Sequence, residues 1–166
     1  MASRTPTFYR PGTYQPEDSA IWLMRRITIA FAREVGEQLE PDGLTHAQWI
    51  PLLKIHKGLA TTAAELARET HVDAATMTRT LDRLQEKGFL RRVRSSQDRR
   101  VVNLELTPRG EAVAAKIPAL LCDVQNAHLR GFSRDELDTL KGLLRRVLAN
   151  TPEGQADAAA QEGPDA

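Results

Sequence analysis

The sequence predicts a mainly helical α+β chain in which a short antiparallel hairpin interrupts a run of helices. Helix-opening signatures recur at Thr45 with Gln48, Thr62 with Glu65, Asp73 before an amphipathic run, and Ser133 with Glu136. Between Phe89 and Leu106 helical periodicity gives way to strand-like alternation. The length of 166 residues, with 41% apolar and 27% charged side chains, suits one ordinary domain with tails to spare.

Residues 1–15 are rich in Pro, Thr and Gly yet carry Phe8, Tyr9 and Tyr14, and read as an extended arm with aromatics to dock. Pro16 suits a first helical position. From it Ile21, Trp22, Ile27, Ile29, Phe31, Val35 and Leu39 make a long helix that is apolar on more than one stripe, so it needs a second neighbour, for which a partner chain is a candidate. "PDG" at Pro41–Gly43 stops it. Thr45 then opens a helix through about His56, and Thr62 opens a short one, "AAELARET", ending near His71.

Asp73 caps "AATMTRTLDRLQEKG", which Gly88 ends in a left-handed stop. Two strands follow, Phe89–Arg94 and Val101–Leu106, joined by a charged turn. In the second, Val102, Leu104 and Leu106 alternate with Asn103 and Glu105, giving an inward and an outward face. Thr107 with Pro108 opens a long helix toward Gly131, which Pro118 should bend or split. Ser133 opens the last helix, lined by Leu137, Leu140, Leu143, Leu144 and Leu148. Residues 151–166 offer no core face and are expected to be a disordered acidic tail.

Charge is balanced overall, at +1, but unevenly placed. From Lys87 to Arg100 there are six basic residues and one acid, and from Thr151 to Ala166 four acids and no base. The first block is a candidate polyanion contact. No apolar run reaches the roughly 18 to 20 residues that cross a bilayer, and no signal-peptide core opens the chain, so a cytoplasmic protein without membrane contact is expected. A single cysteine, Cys122, excludes an internal disulfide framework and a cysteine-rich zinc site. His46, His56, His71 and His128 are widely spaced, with no metalloprotease motif, phosphate loop or nucleophile elbow. No catalytic residue, metal or cofactor is assigned, and an enzyme is not expected.

The helix from Ala74 has two faces. Met77, Leu81 and Leu84 form a stripe for burial, while Thr76, Arg79, Thr80 and Arg83 repeat on another. Short Ala74 and Ala75 let its N-terminal end approach a surface closely, and free N–H groups there favour phosphate. Such a helix fits the B-DNA major groove, where Arg bonds guanine and Thr offers a hydroxyl or methyl; a solvated surface helix is the plain alternative. The hairpin shifts the balance, because Arg91, Arg92, Arg94, Arg99 and Arg100 gather on one ribbon after it. Helix pair plus basic hairpin is a winged helix-turn-helix pattern.

The stretch "TAAELARETHVDAATMTRTLDRLQEKGFLRRVRSSQDRRVVNLELTPRGEAV", with the capped "GFSRDELDTLKGLLRRVLAN", resembles the MarR (multiple antibiotic resistance regulator) family of transcription factors over about residues 17–150. The most specific piece is Asp-Arg-Arg followed by a strand and "LTPRG", which matches the family's Asp-x-Arg wing onto Asp98 and Arg100. The resemblance implies a homodimer, intertwined through its first and last helices, that binds a pseudo-palindromic operator in double-stranded DNA, most simply as a repressor. It also implies that Arg100 enters the minor groove and that Asp98 orients it.

The expected layout is an arm at 1–15, a dimerisation region at 16–40 and 108–150, a winged helix-turn-helix domain at 41–107, and the tail at 151–166. The expected DNA-binding set is Thr62, Ala74, Ala75, Thr76, Thr78, Arg79, Arg83, Arg94, Asp98, Arg99 and Arg100. Many relatives are released from DNA by small aromatic or phenolic anions. Trp22, Arg25, Arg26, His46, Trp49 and His56 are the candidates for such an effector pocket, the alternative being core, dimer or surface packing. Two other readings stay open: a redox-responsive regulator through Cys122, although a lone cysteine there is more often a small buried hydrophobe, and a winged protein-interaction module.

Overall fold

A computed structural model describes residues 7–96, 98, 100–152 and 154–156. Two 3-10 turns, Pro11–Thr13 and Pro16–Asp18, precede α1 (Ala20–Leu39). After it come α2 (His46–His56), α3 (Ala63–Glu69), α4 (Ala74–Glu86), β1 (Leu90–Arg94), β2 (Val102–Leu106), α5 (Pro108–Ala114), α6 (Ile117–His128) and α7 (Arg134–Ala149). None of the described helices is long and apolar enough to cross a membrane. The chain divides into two compact units, Met1–Val124 and Gln125–Ala166.

The first unit carries the core. Leu52 of α2, Leu66 of α3, Leu81 and Leu84 of α4, Phe89, Leu90 of β1 and Ile117 of α6 are fully buried together with Val35 and Leu39 of α1. Helix starts follow the local signals. Reciprocal capping boxes form at Thr45–Gln48 and Thr62–Glu65, and Asp73 caps α4. Pro16 does not begin α1: it opens a 3-10 turn, and Ser19 caps the helix by accepting from the Trp22 N–H at 3.1 Å. Serine supplies the hydroxyl that a helix start needs and proline lacks.

α3 ends at Glu69. His71, at φ 51°, turns the chain so that the Val72 N–H reaches the Ala67 carbonyl at 3.0 Å before Asp73 opens α4. The antiparallel hairpin pairs Leu90 with Leu106, Arg92 with Leu104 and Arg94 with Val102. Its anchor is narrower than the alternation predicts. Leu104 is buried and Leu106 half-buried, whereas Val102 lies exposed toward the tip, beyond the reach of the core. The Leu104 N–H also donates to the Thr61 carbonyl at 2.7 Å, fastening the base of the hairpin to the start of α3.

The expected long helix from Pro108 is split. It breaks after Ala114 and resumes at Ile117, which puts Pro118 in the first turn of α6, where its missing N–H costs nothing. The sequence "LTPRG" has a structural reading here. Thr107 caps α5 and donates to the Gly88 carbonyl at 2.6 Å, and Arg109 donates to the Lys87 carbonyl at 2.9 Å and lies 4.6 Å from the Phe89 ring centre. Gly110 is buried against the Phe89 main chain, so closely that a Cβ would collide with the Phe89 carbonyl oxygen.

In the second unit Gly131, at φ 89°, leads into the Ser133–Glu136 capping box of α7. Leu143, Leu144, Val147 and Leu148 are exposed along α7. Helical structure does not end at Asn150: the Thr151 hydroxyl accepts from the Gly154 N–H at 3.1 Å, and its carbonyl from the Gln155 N–H at 3.0 Å. Thr151-Pro152 thus repeats the cap-plus-proline opening of Thr107-Pro108. The rest of the expected tail lies outside the described residues. Cys122 is exposed rather than buried, because the core-facing side of α6 is Ile117, Leu120, Leu121 and Val124, and residue 122 falls off that stripe.

Candidate nucleic-acid interface

α4 buries Met77, Leu81 and Leu84 and exposes Ala74, Ala75, Thr76, Thr78, Arg79 and Arg83. Burial on one side fixes the helix, and the other side is left to face a partner. Arg79 Nη2 donates to Thr76 Oγ1 at 3.4 Å, while the Thr78 and Thr80 hydroxyls donate to the Ala74 and Thr76 carbonyls at 2.8 and 3.0 Å. Thr78 therefore offers acceptor lone pairs and a methyl group outward, while Thr80 is half-buried at the edge of that face.

The N–H groups at the start of α4, expected to be free, are partly taken. Asp73 Oδ1 accepts the Thr76 N–H at 2.9 Å and occupies the place a phosphate would take. Hydrogen bonding from the Thr76 side chain, then from its N–H, holds the Asp73 carboxyl below its ordinary value, with the Arg79 charge adding to the effect. Thr62 is likewise committed: its Oγ1 accepts from the Glu65 N–H at 3.3 Å and its N–H donates to Glu65 at 3.0 Å.

The arginines of the hairpin divide by duty. Arg91 pairs with its cross-strand neighbour Glu105 at 2.7 Å. Arg92 reaches back to α4, to Asp82 at 2.7 Å and Gln85 at 2.8 Å. Both brace the hairpin, and sequence alone could not separate them from the outward set because their partners depend on strand register and packing. Arg94 and Arg100 are exposed and pair with no acid among the described residues.

Asp98 builds the turn through main-chain bonds. Its Oδ1 accepts the Arg100 N–H at 2.9 Å, its carbonyl accepts the Val101 N–H at 2.9 Å, and its own N–H donates to Ser95 Oγ at 3.3 Å. The carboxylate orients Arg100 through the main chain and leaves its side chain exposed. Arg99 lies outside the described residues.

The six expected effector residues do not converge. Arg26 stacks 4.9 Å from the Trp22 ring centre on α1, and Arg25 is exposed on the same helix. His56 is engaged with Glu111 of α5 at 2.7 Å. Trp49 is buried and donates its indole N–H to His46 Nδ1 at 3.3 Å. Of the six only His46 borders the cavity of about 220 Å³ beside α4, whose other walls include Ile50, Pro51, Val72, Met77 and Thr80.

Two side chains that sequence reasoning passed over hold the interface in place. Lys87, just past α4, donates to the Gly43 carbonyl at 2.8 Å and to Gln48 Oε1 at 2.9 Å, and Arg109 grips the Lys87 carbonyl from α5. Only the motif "LTPRG" signalled the second of these.

Comparison with known proteins agrees with this architecture. A sequence profile of the MarR family matches residues 44–102, from the end of the α1–α2 connection to the start of β2. Wild-type MarR from E. coli, in its apo form, is 31% identical, with 78% of this chain and 97% of that one covered and a TM-score of 0.63. A mutant E. coli MarR complexed with operator DNA is 32% identical, over 76% of this chain and 91% of that one, with a TM-score of 0.67. The S. aureus MepR–DNA complex shares the fold at 21% identity, covering 80% and 98%, with a TM-score of 0.73. With this identity spread over nearly the whole length of the E. coli protein, and with the winged helix pair in place, the chain belongs to the MarR family of transcription regulators.

Proposed function

We propose that this DNA-binding regulator acts as a homodimeric repressor of a pseudo-palindromic operator, reading each half-site with α4 and the adjoining minor groove with the hairpin. The observation that carries the reading is the exposed face of Thr76, Thr78, Arg79 and Arg83, set beside a braced hairpin whose Arg94 and Arg100 remain exposed. Arg79 suits a guanine edge, Arg83 and Arg94 suit phosphates, and Ala74 and Ala75 allow close approach. Arg100 meets the strong negative potential of a narrow minor groove with its backbone already fixed by Asp98. A two-fold dimer places its reading helices on half-sites about 10 bp apart.

Arg100→Ala should weaken operator binding roughly ten- to a hundredfold while leaving the dimer intact in sedimentation. Unchanged affinity sinks the hairpin assignment. Arg79→Ala should erase discrimination between operator and random duplex; equal weakening on both would make it a phosphate contact instead.

Release by a small aromatic or phenolic anion fits the cavity beside α4 better than the α1 surface. Because Trp49 donates to His46 Nδ1, the neutral ring carries its proton on Nε2, a donor for a carboxylate or phenolate. Ala47 lines the same cavity, and because Pro51 offers no N–H its carbonyl keeps accepting capacity for a phenol. A ring held there presses on Met77 and Thr80 at the back of the reading helix and on Thr76 at the edge of its outward face. Titrating benzoic and hydroxybenzoic acids against the DNA complex tests it: release in wild type and its loss in His46→Ala are expected, and identical release in both rejects this cavity.

A further inference from the structure

The geometry points to Asp73 as a specificity filter: its carboxylate blocks the phosphate-binding end of the reading helix and so penalises DNA on which Arg79 finds no base to bond. The inference rests on α4 being the reading helix. A carboxylate is an odd choice for the tip of a helix that is to approach a polyanion.

Three groups at i, i+3 and i+6 form one chain along the outward face. Asp73 accepts the Thr76 N–H at 2.9 Å, Arg79 donates to Thr76 Oγ1 at 3.4 Å, and the Arg79 charge acts on Asp73. Asp73, Thr76 and Arg79 are all exposed, so nothing in the fold requires a charged cap here; Asn or Ser would cap as well. The negative charge cancels the positive end of the helix dipole where a phosphate would otherwise settle, whatever the sequence. It also attracts the Arg79 guanidinium, whose bond to Thr76 Oγ1 lies on the same face. A guanine edge offers Arg79 a bidentate partner that outweighs this attraction, whereas a phosphate contact at the helix end must overcome the repulsion of Asp73. Selectivity then comes partly from making the wrong complex worse.

The test compares the full-length wild type with Asp73→Asn and Asp73→Ser, which keep a capping side chain and remove the charge, on two probes. One is a duplex recovered by selection from a random library; the other is a shuffled duplex of the same composition. Both variants should bind the shuffled duplex roughly three- to tenfold more tightly than wild type, with much less gain on the selected one, so the specificity ratio falls. The salt dependence on shuffled DNA should steepen by about one released counterion. Asp73→Glu, which keeps the charge, should stay close to wild type on shuffled DNA, and thermal unfolding of each variant checks that the cap survives.

Unchanged binding of shuffled duplex by both neutral variants overturns the filter. Loss of affinity for the selected duplex alone also overturns it, and makes Asp73 a base-reading acceptor for a cytosine amino group. A wild type without affinity for any duplex overturns the regulator reading and this inference with it, whereas a selective wild type with unaltered variants overturns this inference alone.

Discussion

Residues 44–114 close their apolar side chains upon one another; the first half of α1 does not. In the winged segment Leu52, Leu66, Leu81, Leu84 and Phe89 are fully buried, and the exposed remainder is chiefly polar or charged. On α1 burial is reached only at Val35 and Leu39, while Ile21, Leu23, Ile27 and Ile29 stand 50 to 65% exposed. One region is complete as a single chain and the other is not, although both follow the same periodic rule. Apolar exposure of this extent along one helix is a surface waiting for a partner, and a second copy of the chain is the partner that the homodimer reading supplies.

The sharpest way to break the complete region is at its tightest contact. Gly110→Ala places a methyl against the Phe89 carbonyl, which already accepts from the Thr107 N–H at 3.0 Å, so α5 must move off the Phe89 main chain and lose that bond. A loss of about 3 kcal/mol or more in urea unfolding is expected, at the upper end of overpacking costs. A change within about 0.5 kcal/mol would show the approach to be slack.

The unfinished region should answer differently. Ile27→Asp alters an exposed side chain, so the stability of the winged segment should stay within about 0.5 kcal/mol. Association should instead weaken by at least about a hundredfold, equivalent to about 2.7 kcal/mol, because the charge would be buried between copies. Sedimentation of the variant as a monomer, at concentrations where wild type is a dimer, is the expected result. An unshifted dimer would place the interface elsewhere.

The same contrast, between what closes locally and what waits for a distant partner, governs what was readable in advance. Signals carried within four residues were legible: the Thr45, Thr62 and Ser133 boxes and the Asp73 cap all form where their spacing places them. Pro118 marked the split in the long helix but not its site, since proline is tolerated in a first turn and the break slides ahead of it. What stayed hidden were side chains whose partners are remote. Nothing local separates Arg91 and Arg92, which brace the hairpin, from Arg94 and Arg100, which face outward; only the register and the packing of β1 on α4 do so. His56 resembled a ligand-binding residue until Glu111, 55 positions away, came within 2.7 Å. Asp98 stands apart from these: it accepts the Arg100 main-chain N–H only two residues on, the local bond that Asp makes in turns.

The smallest expected effect joins the helix pair to the hairpin through one carboxylate. Glu65 accepts from the Thr61 N–H at 2.7 Å, the Thr61 hydroxyl at 3.0 Å and the Thr62 N–H at 3.0 Å, and the Thr61 carbonyl receives the Leu104 N–H of β2. These bonds, from Thr61 first, hold the Glu65 carboxyl below its ordinary value of 4.5. A depressed carboxyl contributes stability that is complete above its unfolded value and is lost as pH falls through its folded one. Glu65→Gln keeps a capping side chain but removes the titration, so the variant should be less stable at neutral pH by a few tenths of a kcal/mol, solvent exposure limiting the gain. The two unfolding curves should converge once the pH drops well below 4.5, when wild type carries a neutral carboxyl too. Parallel curves from pH 7 down to pH 3 would mean that the charge on Glu65 contributes nothing, and that geometry alone fastens the hairpin to α3.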